Sequence, residues 1–175
     1  MTFADPFSQT ISSQANVARA VAELRRGGPV AVAAGNDAAI AIAAELVEEP
    51  GFAWLLAAAE NGGARLLLTQ ERAARLGLAG APSLERFRLL ALPAACSADM
   101  ARQIVDPTAE PVDPALVELA PASDVPAPLC QAVIELVKAA RLLPAAVVVP
   151  LPLAKVEAWV AAPFRLTAGN VLASR

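Results

Sequence analysis

The chain has 175 residues, a net charge of −3 and a pI near 5.0, with 57% apolar residues, a mean hydropathy of +0.52, no histidine and no tyrosine. That length suits one domain able to bury most of its apolar surface. The missing histidine removes the side chain most used for proton transfer near neutral pH and the commonest imidazole metal ligand.

Lys and Arg are scattered, and Arg25 and Arg26 form the one adjacent basic pair. Phosphate neutralisation needs a basic stripe, so nucleic acid is not an expected partner. The uncharged run 142–154 is interrupted by prolines and is shorter than the roughly 20 apolar residues of a membrane span. Residues 1–14 lack a basic segment followed by an apolar one, so no signal peptide is expected. Cys96 and Cys130 are too few and too far apart for a disulfide framework or a zinc knuckle, which points to a reducing cytoplasm.

In chain order, residues 1–13 read as a flexible leader. A helix is expected over 16–26, with Val17, Val21 and Leu24 on one face and Gly27-Gly28 as its stop. Residues 30–34 form a short strand, Gly35, Asn36 and Asp37 a turn, and 38–48 a helix broken by Pro50-Gly51. A further helix over 52–60 ends at Asn61-Gly62-Gly63, and 64–68 is a buried strand. Thr69 caps a short helix over 70–76, with Gly77 at its end. Residues 87–92 form a strand, and Ser97 caps a helix over 98–105.

Residues 106–128 hold six of the fifteen prolines and read as a long loop with at most an edge strand near 116–119. An amphipathic helix follows, with Cys130, Val133, Ile134 and Val137 on its apolar face and Pro144 as its end. Then come a central strand at 147–149, a helix at 155–161, a short strand at 164–166 and Thr167 as a cap. No repeat is present. The alternation predicts an α/β or α+β layered sandwich: one domain, one core, a mixed sheet flanked by helices.

Candidate chemistry is sparse. Glu45, Glu48 and Glu49 read as a solvated helix face. Asp106, Glu110 and Asp113 match no magnesium loop geometry. Cys130 begins a helix, where a dipole lowers a thiol pKa, yet without a histidine base it reads as a buried structural cysteine, as does Cys96. Thr69 and Ser97 lie at strand-to-helix junctions, where free amides hold anions, and capping explains both equally well.

Four blocks taken together resemble one family. VARAVAELRRGGPVAV (17–32) is similar to the opening helix and first strand of 3,4-dihydroxy-2-butanone 4-phosphate synthase. LLLTQERAARLGL (66–78) resembles its next strand and helix, AVIELVKAARLLPAA (132–146) its late helix and strand, and FRLTAGNVLASR (164–175) its last strand and helix. The order and spacing of the four blocks carry the resemblance, which spans nearly the whole chain.

The resemblance implies a synthase-like domain over 14–175. The family makes a four-carbon phosphate for riboflavin from ribulose 5-phosphate, with magnesium and acid/base chemistry. Its acidic loop after the first strand corresponds here to AAGNDAAI (33–40), in which Asp37 is the one acid. Its Arg-Gly-Gly-His-Thr-Glu run corresponds to PAPLCQ (126–131), so Leu129 stands for the metal-binding histidine, Cys130 for the threonine and Gln131 for the glutamate. A catalytic glutamate after the late strand falls near Pro150. The positions of the vestigial pocket are therefore Asp37, Thr69, Ser97, Leu129, Cys130, Gln131 and Pro150, with no catalytic residue, metal or cofactor expected.

Such degenerate domains resemble the N-terminal half of bacterial riboflavin proteins whose C-terminal half is GTP cyclohydrolase II. The resemblance thus implies a catalytically inactive accessory or dimerisation domain: a homodimer, covalently joined to a cyclohydrolase. The rival readings are a regulatory module that binds a phosphorylated metabolite through the helix starts at Thr69 or Ser97, a working synthase with rearranged residues, and an unrelated α/β domain.

Overall fold

The computed structural model describes residues 6–59, 63–77, 86–110 and 119–174. Helix α1 (Pro6–Arg25) leads into a hairpin of β1 (Val30–Ala34) and β2 (Asp37–Ala43). A 3-10 turn (Ala44–Leu46), α2 (Glu49–Ala58), β3 (Arg65–Thr69), α3 (Gln70–Arg75), β4 (Phe87–Ala91) and α4 (Ala98–Val105) follow. The chain then forms β5 (Ala120–Pro121), α5 (Ala127–Ala139), β6 (Ala145–Pro152), a 3-10 stretch (Leu153–Ala158), a second 3-10 turn (Ala162–Phe164), β7 (Arg165–Thr167) and α6 (Ala168–Ala173).

Among the described residues, seven strands make one sheet in the order β5-β4-β3-β6-β2-β1-β7. Every pairing is antiparallel except β1 with β7, so the sheet is mixed as expected. It divides the expected single core into two halves. Ile40, Ile42, Leu66, Leu68, Val147 and Val149 meet Phe52 and Leu55 of α2 and Ile104 of α4 on one face. Ala39, Ala41, Leu67 and Val148 meet Leu24 of α1, Ile134 and Val137 of α5 and Val171 of α6 on the other. Helices on both faces leave the middles of the central strands buried, which is why they read as continuous apolar runs.

The largest departure from expectation is β2, where 38–48 was expected to be helical. Alanine is the best helix former, and its abundance masks the strand preference of the β-branched Ile40 and Ile42. The segment instead pairs on both sides, Ile40 with Ala31 of β1 and with Val149 of β6. Its side chains alternate between the two core halves, so tertiary pairing overrides propensity. The 3-10 stretch Leu153–Ala158 likewise replaces the helix expected at 155–161.

Other differences concern boundaries. Helix α1 begins at Pro6 rather than residue 16, so part of the expected leader is helical, while residues 1–5 lie outside the described residues. Pro50-Gly51 does not separate two helices: α2 begins at Glu49 rather than residue 52 and holds Pro50 in its first turn, where a missing N–H is harmless. The edge strand expected near 116–119 falls mostly outside the described residues, and β5 forms just after it. Helix α5 ends at Ala139, before Pro144, and Arg141 follows at φ 60. Gly27 stops α1 at φ 75 with the Leu46 carbonyl oxygen 3.0 Å from where a Cβ would stand, so both conformation and space require glycine there.

Among the described residues, no helix is long and apolar enough to cross a membrane. Cys96 and Cys130 are both free and buried.

Candidate functional site

The β1–β2 hairpin closes through Gly35 and Asn36, with Gly35 at φ 62 in the first loop position. Asp37 is therefore the first residue of β2 rather than part of the turn, exposed and paired with Ala34 and Pro152. The Asn36 carbonyl accepts from the Leu153 N–H at 2.9 Å, which ties the end of β6 to the hairpin. Beside it lies a cavity of about 350 Å³ with Ala31, Ala33, Ala38 and Val156 in its walls. Its rim holds an ion pair, Arg165 Nη1 to Glu157 Oε1 at 2.7 Å.

Pro150 lies inside β6, opposite Ala39, and not after the strand as expected. Strand β3 begins opposite Val148, so β6 has a partner on one side only from Val149 on, the setting in which a strand accepts proline.

Leu129 and Cys130 open the buried face of α5, and both are 0% exposed in the second core half. Cys130 Sγ donates to the Val125 carbonyl at 3.6 Å. Burial pushes its thiol up to about 12, with the Asp124 charge adding to the rise and the residue's own backbone N–H opposing it. A thiol held neutral in this way is neither a nucleophile nor a thiolate ligand. Gln131 is half-buried on the same helix.

Thr69 and Ser97 are caps. Thr69 Oγ1 accepts from the Arg72 N–H at 3.3 Å, and Ser97 Oγ accepts from the Met100 N–H at 3.2 Å. Each helix start also holds a carboxylate of the chain itself. Glu49 Oε2 accepts from the Ala98 N–H at 3.1 Å. Glu71 is held below the usual carboxylate range, first by its own backbone N–H and then by the Thr69 hydroxyl. The amides that could have gripped a phosphate are thus partly taken. Thr69→Ala and Ser97→Ala are each expected to cost about 1 kcal/mol, read as a lower urea midpoint with unchanged slope.

No protein-family model and no curated protein matches the sequence. Solved structures do match. A two-domain 3,4-dihydroxy-2-butanone 4-phosphate synthase from A. baumannii superposes on 89% of this chain with a TM-score of 0.65 and 19% identity. A synthase structure in complex with two magnesium ions superposes on 90% with a TM-score of 0.64 and 17% identity. The fold is that of 3,4-dihydroxy-2-butanone 4-phosphate synthase.

The synthase from Candida albicans is similar over 90% of this chain, at a TM-score of 0.60 and 16% identity. The chain spans 56% of the two-domain synthase, and 94% and 95% of the other two. At these identities the likeness is one of fold.

On this synthase fold the seven expected positions do not form one pocket. Asp37 pairs with Pro152 at one end of the sheet, whereas Thr69 follows Leu68, which pairs with Ala145 at the other. Seven residue steps along β6 separate these levels, roughly 23 Å. Leu129 and Cys130 are core residues, and Ser97 serves α4. Among the described residues, no group of three or more His, Cys, Asp and Glu side chains could hold a metal ion.

Two features escaped the sequence reading. Arg65, at the start of β3, makes a two-pronged pair with Asp124, Nε to Oδ1 at 3.1 Å and Nη2 to Oδ2 at 2.7 Å. The partners are 59 residues apart, and no local signal links them. The second feature is a cavity of about 230 Å³ beside Thr69, with Arg72 and Arg75 in its wall.

Proposed function

We propose that these 175 residues form a catalytically silent domain of synthase fold that acts in riboflavin biosynthesis, in a reducing cytoplasm, as the accessory and dimerisation half of a longer GTP cyclohydrolase II polypeptide. The observation that carries the reading is Leu129. Where the resemblance puts a metal-binding histidine, this chain has a leucine sealed into the core, next to a thiol held neutral. A magnesium ion takes six oxygens in near-octahedral geometry, and Asp37 is the one carboxylate of the hairpin. The donor set does not fit the two magnesium ions of the solved synthase. No acid/base step is assigned to this chain.

The alternative, a module gripping a phosphorylated metabolite through the starts of α3 and α4, is less well supported, since Glu71 and Glu49 stand at those starts. The accessory half of the proposal rests on the resemblance together with an apolar, alanine-rich composition compatible with a buried interface.

The direct test is incubation of the purified chain with ribulose 5-phosphate and magnesium, followed by NMR. The expected result is no four-carbon phosphate above the protein-free blank. Steady product formation would overturn the silent-domain reading. Capture of the native protein from its own cells and mass spectrometry tests the fusion: a chain of about twice this length with bound zinc is expected, and a protein ending at Arg175 rules it out. Sedimentation tests dimerisation, with a species of about 36 kDa expected from the 17.9 kDa chain.

A further inference from the structure

The cavity beside Thr69 lies between α3, the end of α4 and the turn into β6. Glu71, Arg72 and Arg75 line it from α3, while Val105, Pro107, Leu143 and Pro144 supply apolar walls. Arg72 is anchored, its Nη2 donating to the Ile104 carbonyl at 3.2 Å. Its Nε is buried with no hydrogen-bond partner among the described residues.

The surroundings are positive, although the whole chain carries −3. Arg86 is joined to the start of α3, its carbonyl accepting from the Gln70 N–H at 3.0 Å. After the backbone N–H and the Thr69 hydroxyl, the charges of Lys138 and Arg86 also favour the Glu71 carboxylate. Three acids face this region, and all are engaged: Glu45 Oε2 accepts from the N–H of Leu143, itself in the cavity wall, at 3.2 Å. Glu71 turns back on its own N–H and Thr69. Asp106, within reach of the Arg72 charge, accepts from the Thr108 N–H at 2.8 Å and the Thr108 hydroxyl at 2.7 Å.

We propose that this cavity binds a small organic oxyanion, a carboxylate or phosphate held by Arg72 and Arg75 with its carbon body against Pro107, Leu143 and Pro144. Planar guanidinium groups match the oxygens of both anions, and apolar walls strengthen the attraction by lowering the local dielectric. At about 230 Å³ the cavity is smaller than the pockets of roughly 300 Å³ and above that take drug-sized ligands, which restricts it to small molecules. It is remote from the Asp37 hairpin, so the site stands or falls independently of catalytic silence.

Calorimetry on the full chain with phenyl phosphate, benzoate and benzyl alcohol at matched ionic strength tests the proposal. Saturable binding of at least one of the two anions in the millimolar range is expected, with none for benzyl alcohol, and the stronger anion identifies the group preferred. R75Q, a change at an exposed residue, is expected to weaken that binding about fivefold or more while leaving the unfolding temperature unchanged. E157Q, at the other cavity, is expected to leave it intact. No saturable heat with either anion, equal binding of benzyl alcohol, or an R75Q affinity equal to the parent's would each overturn the site.

Discussion

Leu129→His is expected to cost about 3 kcal/mol or more and to create no metal site. Leu129 is 0% exposed in the core half that α5 shares with the sheet. Removing such a leucine side chain costs about 2–5 kcal/mol in transfer and cavity energy, and an imidazole there adds a polar group with no assured partner. The loss has a distinctive pH dependence. Burial holds the imidazole below its ordinary pKa of about 6.5, so the unfolded chain binds the proton more readily. The variant therefore keeps its stability above that pH and loses it as the pH falls. Urea midpoints at pH 8 and pH 5.5, with Leu129→Ala as the reference, measure both effects. A variant as stable as the parent that also bound magnesium would contradict the reading of this position as core.

The second large effect is alkaline. The Cys130 thiol moves from an ordinary value of 9.0 to about 12 on folding, chiefly by burial. Above pH 9 the unfolded chain releases this proton and the folded chain keeps it, so rising pH favours unfolding. The stability tied to Cys130 is complete below pH 9 and is lost progressively up to about pH 12. At 1.36 kcal/mol per unit, this is about 2–3 kcal/mol by pH 11. Few other groups obscure it, because tyrosine is absent and Lys138 and Lys155 are the only lysines. Cys96, raised by burial and by the Glu49 charge, adds to the same slope. Cys130→Ala lowers stability by a constant amount and is expected to remove most of the fall between pH 8 and pH 11. An unchanged fall would show that other groups cause it.

Legibility in the sequence followed the range of the interaction. The caps at Thr69, Ser97 and Thr167 were readable because a hydroxyl and the N–H it accepts from lie three residues apart. The mixed sheet with flanking helices followed from the alternation of apolar runs and turn signals. The Arg65–Asp124 pair and the placement of Arg72 against the Ile104 carbonyl had no such local trace.

The sequence by itself determined that no imidazole is present to bind metal or move protons, and that Asp37 is the sole acid of the hairpin stretch. Local patterns also determined where α3, α4 and α6 start, since capping is settled within one turn. The tertiary structure alone decided that an alanine-rich segment is the strand β2, because ladder bonds to β1 and β6 outweigh alanine's preference for helix. It alone placed Asp37 and Thr69 at opposite ends of the sheet, since strand register joins residues more than a hundred positions apart. It also gathered Arg72, Arg75, Arg86 and Lys138 around one end of an otherwise acidic protein, because charge separated along a chain becomes a local field only once folding brings it together.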